Sequence, residues 1–108
     1  MNRSFADIEL SLHILRYAES APNQRTLAQK VGYSVGKVNY VLSALIDKGL
    51  IKAERFIASN NKIKYRYILT PEGLREKIAL TEAFIERKKR EYEELVEELE
   101  ITRTKGVS

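Results

Sequence analysis

The sequence predicts a mainly α-helical fold with a small β-hairpin, ending in one long helix. Three observations support this prediction. Apolar residues recur at helical spacing on both sides of a tight turn near Gly32. After Gly49 the pattern changes to alternation by twos, which is typical of β-strands. After Thr70 an apolar position returns every three or four residues across about four heptads.

The first predicted helix covers residues 5–19. Ser4 and Asp7 have the spacing of a capping box, with Asp in place of the usual Glu. The apolar residues of this helix form two faces, so we expect one face in the domain core and the other against a second subunit. His13 is the single histidine of a chain without cysteine, and we therefore expect a structural or surface role for it rather than metal binding.

Residues 23–49 predict a second and a third helix joined by a tight turn. Asn23 and Ser34 are the expected N-caps, and Gly32 and Gly49 are the expected helix stops. The third helix has an apolar stripe that should face the core, formed by Val35, Val38, Leu42, Leu45 and Ile46. Its opposite face carries small, hydrogen-bonding or cationic side chains: Gly36, Lys37, Asn39, Tyr40 and Ser43.

Charge is unevenly distributed along this helical pair. Residues 20–46 contain no Asp or Glu but include Arg25, Lys30 and Lys37. An acidic first turn would stabilise a helix, whereas a bare and positive N-terminus favours an incoming phosphate. We therefore interpret residues 34–48 as a helix that enters a DNA groove. An ordinary helical hairpin with a solvated outer face explains the same residues equally well.

A β-hairpin follows, with strands predicted over residues 50–57 and 63–69. The connection, residues 58–62, is rich in Ser and Asn, and Asn tolerates left-handed backbone in turns. We expect Tyr65 and Tyr67 in the core. Cationic and amide side chains suited to phosphates or a minor groove lie at the tip and along one face: Asn60, Asn61, Lys62, Lys64 and Arg66. The alternative is a charged edge strand that discourages aggregation.

The last predicted helix covers residues 71–101, with Thr70 as its N-cap. Its apolar stripe is longer than one small domain covers, so we expect a homodimer. The expected interface residues are Leu74, Ile78, Ile85, Tyr92, Leu95 and Leu99. Lys88 interrupts the stripe, so the interface should be modest; the alternative is a monomer with a frayed helix. The predicted organisation is a DNA-binding domain over residues 1–70, this dimerisation helix, and a flexible tail over 102–108.

Composition and charge exclude several classes of protein. A chain of 108 residues that is 44% apolar and 31% charged is typical of one globular domain. Because it lacks cysteine, a phosphate loop, metal-ligand spacing and a nucleophile–base set, we expect neither an enzyme nor a bound cofactor. It has no apolar run of membrane-span length and no signal-peptide core, so the expected location is the cytoplasm. Residues 1–70 hold 11 Lys and Arg against 5 Asp and Glu, a basic balance that favours a nucleic-acid partner.

Two short motifs carry a resemblance to a known family: GKVNY at residues 36–40 and LTPEG at residues 69–73. With the SNNK hairpin tip, they make the chain similar over residues 8–100 to the MarR-type winged helix-turn-helix regulators. Within that family it resembles the small subgroup associated with exopolysaccharide biosynthesis loci. The resemblance implies a dimeric, sequence-specific DNA binder. It assigns Ser34, Gly36, Lys37, Asn39 and Tyr40 to a recognition helix, and residues 60–64 to a wing. The Asp-x-Arg wing motif and longer dimerisation region of larger MarR proteins are absent, so no small-molecule effector is assigned.

The resulting hypothesis is a homodimeric transcriptional regulator that binds double-stranded DNA at a roughly palindromic operator. Base contacts are expected from Lys37, Asn39, Tyr40 and Ser43, with Lys suited to guanine and Asn to adenine. Phosphate contacts are expected from Arg25, Ser34, Lys62, Lys64 and Arg66. The competing hypothesis is a winged-helix protein-interaction module that docks through its last helix, without sequence-specific DNA binding. That alternative leaves unexplained the two acid-free stretches, residues 20–46 and 55–71.

Overall fold

The computed structural model describes residues 5–106, with side chains from Asp7 onward. The elements in this range are α1 (Phe5–Tyr17), a 3-10 turn (Ala18–Ser20), α2 (Gln24–Val31), α3 (Val35–Asp47), β1 (Ile51–Ile57), β2 (Ile63–Leu69) and α4 (Pro71–Gly106). The predicted mainly α-helical fold with one hairpin and a long last helix is confirmed. The chain forms two compact units that divide between Ile78 and Ala79. The predicted capping box includes Ser4, which lies outside the described residues.

The caps of α2 and α3 are those that the sequence predicts. The Asn23 side chain accepts a hydrogen bond from the backbone N–H of Thr26 at 2.8 Å, and Ser34 Oγ accepts one from that of Lys37 at 3.2 Å. Each such cap contributes about 1 kcal/mol by satisfying an otherwise unpaired helix donor. Gly32 ends α2 in the left-handed region with φ of 79°, which a residue without Cβ adopts at no steric cost.

The core of the first unit is formed by α1, α2 and α3, with the start of β1. Its largest fully buried apolar side chains are Leu10, Ile14, Leu15, Leu27, Val38, Leu42, Leu45 and Ile51. The predicted stripe of α3 needs one correction: Val41 is buried, whereas Val35 is 44% exposed. Val35 lies in the first turn of the helix, where the stripe extends past the packed side chains.

The two strands pair antiparallel, with Ile51 opposite Leu69 at the base and Ile57 opposite Ile63 near the tip. The turn closes through hydrogen bonds between Ala58 and the residues that follow, and Asn61 adopts φ of 62°. Asn tolerates this left-handed conformation better than most residues, as the turn prediction assumed.

Burial along β2 falls from the base of the hairpin toward its tip. Tyr67 is half-buried and its hydroxyl lies 3.4 Å from Gln24 Nε2, but Tyr65 is 55% exposed. The prediction that Tyr65 belongs to the core is therefore wrong. Apolar and polar residues alternate along most of β2, but only the half of the two-stranded sheet near its base has other elements of the domain to pack against.

The junction between the hairpin and α4 is tightly hydrogen-bonded. Thr70 Oγ1 donates to the carbonyl of Gly49 at 2.6 Å and accepts from the N–H of Gly73 at 2.9 Å, so Thr70 is the helix cap that the sequence predicts. Gly73 is buried against Leu50, and a Cβ at this position would collide with the Leu50 carbonyl oxygen. The threonine and glycine of the LTPEG motif thus have separate structural roles, as a cap and as a close-contact position.

Helix α4 is longer than predicted, because residues 102–106 are helical rather than loose. Thr102 and Thr104 donate their hydroxyls to the carbonyls of Glu98 and Glu100, and residues 74–105 contain no Gly or Pro. Arg103 lies in the last turn, where cations stabilise the carboxyl end of a helix. Among residues 5–106, no helix is long and apolar enough to cross a membrane.

Candidate nucleic-acid interface

The outward face of α3 is polar and exposed, as predicted. Its N-cap and its first three turns present Ser34, Gly36, Asn39, Tyr40 and Ser43 to solvent. Tyr40 is 71% exposed, which is unusual for a large aromatic side chain of a folded domain. These five residues therefore form one exposed face, which lies opposite the buried stripe.

Lys37 was predicted for the same face of α3, but it differs from these five residues because it is half-buried and ion-paired. Its Nζ lies 2.7 Å from Oδ1 of Asp7 on α1, and 5.7 Å from the centre of the Tyr40 ring. The hydrogen bond to Asp7 is the main cause that raises the pKa of Lys37 above its ordinary value. Residues 20–46 contain no acid, but the surface around Lys37 does.

The cations predicted to contact DNA from the hairpin differ in whether they have an ion-pair partner. Lys62 and Lys64 are exposed and make no ion pair with any residue of the described range. Arg66 is tied to Glu54 on the facing strand, with Nε 2.7 Å from Oε2, and its guanidinium lies 5.5 Å from the ring centre of Phe56. At the turn, the side chain of Asn60 accepts a 3.3 Å hydrogen bond from the N–H of Lys62, and both residues remain exposed.

An open groove of about 1080 Å³ runs between the start of α2 and the hairpin. It brings together three of the cations predicted to contact phosphate, Arg25, Lys64 and Arg66. Asn60, Asn61 and Lys62 are not among its lining residues. The predicted backbone contacts therefore form two groups, one in this groove and one at the hairpin tip.

Sequence reasoning missed the two acids that neutralise part of this surface. The contact of Glu54 with Arg66 could have been predicted, because pairing the two strands through a short turn places these residues opposite each other. The contact of Asp7 with Lys37 could not have been predicted in this way, since it joins residues thirty positions apart on two helices. Glu54 borders an acid-free stretch directly, whereas Asp7 lies thirteen positions before the one that begins at residue 20.

The apolar residues predicted for a dimer interface are exposed along α4. Leu74 and Ile78 belong to the first unit, and Ile85, Tyr92, Leu95 and Leu99 to the second. All six are between 49% and 69% exposed. Beside this stripe Arg87 pairs with Glu91 at 3.1 Å, and Lys88 Nζ lies 5.0 Å from the Phe84 ring centre. The part of the chain that the structure describes contains no group of three or more His, Cys, Asp or Glu able to hold a metal ion.

Comparison with known families and structures agrees with this geometry. Residues 10–52 match the family described as winged helix-turn-helix DNA-binding. That match runs from the middle of α1 through α2 and α3 to the first two residues of β1, and the rest of the hairpin follows directly. The fold is a winged helix-turn-helix. Helices α2 and α3 are its helix-turn-helix pair, and the hairpin of β1 and β2 is its wing. No match is found among curated proteins.

Several solved structures share the winged helix-turn-helix fold. The DNA complex of MepR from Staphylococcus aureus is 20% identical, with a TM-score of 0.63, over 95% of this chain and 75% of that one. ZitR of Lactococcus lactis, a zinc-responsive MarR family member, is 22% identical, with a TM-score of 0.60, over 90% and 64%. F-93 of SSV1 is 22% identical, with a TM-score of 0.57, over 82% and 96%. At these identities the likeness establishes the shared fold.

Proposed function

We propose that this chain is a sequence-specific DNA-binding transcriptional regulator of the MarR type, acting as a homodimer on a roughly palindromic operator. The observation that carries the proposal is the exposed polar face of α3 in a winged helix-turn-helix domain. A helix with Asn39, Tyr40 and Ser43 directed outward presents amide and hydroxyl groups that bind base edges in a major groove.

The proposed contacts separate into base recognition and backbone binding. Asn39 suits the N6 and N7 atoms of adenine, and Lys37 suits the O6 and N7 atoms of guanine. The groove cations Arg25 and Lys64, together with Lys62 at the wing tip, neutralise phosphates independently of sequence. One structure of the same fold is MepR in complex with DNA, which supports a DNA partner for this chain.

The exposed apolar stripe of α4 supports the homodimer. Six large apolar residues along one helix, each 49% exposed or more, make a surface that soluble monomers rarely present to water. A second copy of the same stripe covers it by symmetry, and a two-fold protein matches a two-fold operator. In this proposal residues 1–70 bind DNA and residues 71–101 form the dimer.

We extend the proposal to the subgroup of MarR-type proteins associated with exopolysaccharide biosynthesis, acting in the cytoplasm on those genes. The GKVNY and LTPEG motifs support this extension. Sequencing the genomic fragments that the purified protein retains would test it. Sites next to exopolysaccharide biosynthesis genes are expected; retained fragments that all lie elsewhere would refute the extension and leave the DNA-binding proposal standing.

A protein-interaction module is the second candidate, and the ion pairs favour it. Two cations that would bind DNA, Lys37 and Arg66, already have carboxylate partners, which lowers the attraction for phosphates. A gel-shift titration against genomic fragments at two salt concentrations separates the candidates. Strong retention of a few fragments that weakens steeply with salt supports the regulator. Weak and equal binding to all fragments supports the interaction module.

A further inference from the structure

One carboxylate reaches the recognition helix from another element of the domain. Asp7, in the first turns of α1, holds the ammonium of Lys37 at 2.7 Å, while the Tyr40 ring lies 5.7 Å from the same nitrogen. Without such contacts, the ammonium of a lysine moves widely, because its flexible four-carbon side chain has many rotamers. Contact with both a carboxylate and an aromatic ring restricts where its charge lies.

The chemistry of this pair discriminates between two kinds of acceptor. An ammonium has three donors, and the ion pair with Asp7 engages one side of it, so donors on its other side remain for DNA. A phosphate that approaches Lys37 must also approach the Asp7 carboxylate, which repels it. The O6 and N7 atoms of guanine carry no formal charge and meet much less repulsion.

We propose that Asp7 is a specificity-determining residue of the DNA interface, which directs Lys37 to base edges by keeping phosphates away from it. This inference rests on the proposed function. It assigns the sequence-independent attraction for DNA phosphates to Lys62 and Lys64, which have no ion-pair partner in the described part of the chain. It assigns the discrimination between DNA sequences to Lys37, which is paired with Asp7.

Asp7→Asn tests the inference, because it keeps the size of the side chain and removes its charge. Glu9→Gln is the matched control: it lies on the same helix, changes the net charge equally and contacts His13 at 3.6 Å rather than the recognition helix. The probes are a mixed-sequence duplex and the duplex that the wild-type protein selects from random DNA. Affinity for each is measured by gel shift at several salt concentrations.

With Asp7→Asn, Lys37 gains a phosphate contact on mixed-sequence DNA. The slope of log K against log salt should steepen by about 0.9 per subunit, which is roughly eightfold in affinity at 0.1 M relative to 1 M salt. Affinity for the selected duplex should change less, so the ratio of specific to non-specific binding falls. Glu9→Gln should leave both slopes at the wild-type value. Misfolding does not raise affinity, so a gain of this kind distinguishes the role from a structural one.

A double variant shows whether Asp7 acts through the lysine. In a Lys37→Gln background, Asp7→Asn should have no further effect on mixed-sequence binding. If the effect persists there, or if Asp7→Asn behaves like Glu9→Gln while the wild type still discriminates, the inference is overturned and the proposed function stands. If the wild type itself shows no preference for any duplex, the proposed function fails and the inference fails with it.

Discussion

The contact between Gly73 and Leu50 allows one stability prediction to be worked out in detail. In Gly73→Ala the new Cβ collides with the Leu50 carbonyl oxygen and lies 2.9 Å from its carbon. The obstacle is backbone rather than a flexible side chain, so a rotamer change does not relieve it. The same carbonyl accepts a 3.1 Å hydrogen bond from the N–H of Thr70, so moving Leu50 also strains the start of α4.

Overpacking of this kind typically costs about 1–3 kcal/mol, and weakening a backbone hydrogen bond adds about 1 kcal/mol. The higher helix propensity of alanine than of glycine offsets at most about 1 kcal/mol of this loss. The net loss should be about 1–4 kcal/mol, equivalent to a fall in Tm of roughly 5–30 °C for a domain of this size.

Gly36→Ala is the control, because Gly36 also lies in the first turn of a helix but has no atom within 4 Å of the position a Cβ would take. It should leave Tm unchanged or raise it slightly. Thermal unfolding followed by circular dichroism, at equal protein concentrations since a dimer melts concentration-dependently, measures both variants. Equal melting temperatures for Gly73→Ala and Gly36→Ala would refute the close-contact role.

Three further predictions concern the interface and assembly. Lys62→Ala should weaken binding to all sequences and flatten the salt dependence by about 0.9 per subunit, since one phosphate contact is lost; an unchanged slope in salt-dependent gel shifts would remove Lys62 from the backbone contacts. Asn39→Ala should cost about 1–3 kcal/mol of discrimination between the selected duplex and random DNA, and equal losses on both would exclude it from base recognition. Leu95→Lys with Leu99→Lys should convert the dimer to a monomer in analytical ultracentrifugation by placing charges in the apolar stripe. A dimer that survives both changes would exclude that part of α4 from the interface.

Local patterns in the sequence predicted most of the fold. The caps Asn23, Ser34 and Thr70 depend on residues within three positions of themselves, and the hairpin turn depends on the backbone preference of Asn61. Such features follow from short-range chemistry, which a single sequence contains in full.

The errors came from information that local patterns lack. Tyr65 alternates correctly but lies where the sheet has nothing to pack against, and Val35 lies past the end of the packed layer. Asp7 reached Lys37 through the packing of α1 on α3, which no spacing rule encodes. Of the candidate interface, the exposed face of α3 was therefore predictable, but its electrostatic balance was not.

The decline of burial toward the wing tip has an evolutionary consequence. Because Asn60 and Lys62 are exposed and support nothing in the core, their replacement leaves the folding energy of the domain nearly untouched. A longer turn is also tolerated, since doubling the length of a loop costs only about 0.6 kcal/mol. Substitutions and insertions can accumulate at this position while α1, α2 and α3 keep their packing. The wing tip is accordingly a part of the molecule where new variants arise at low cost to the scaffold.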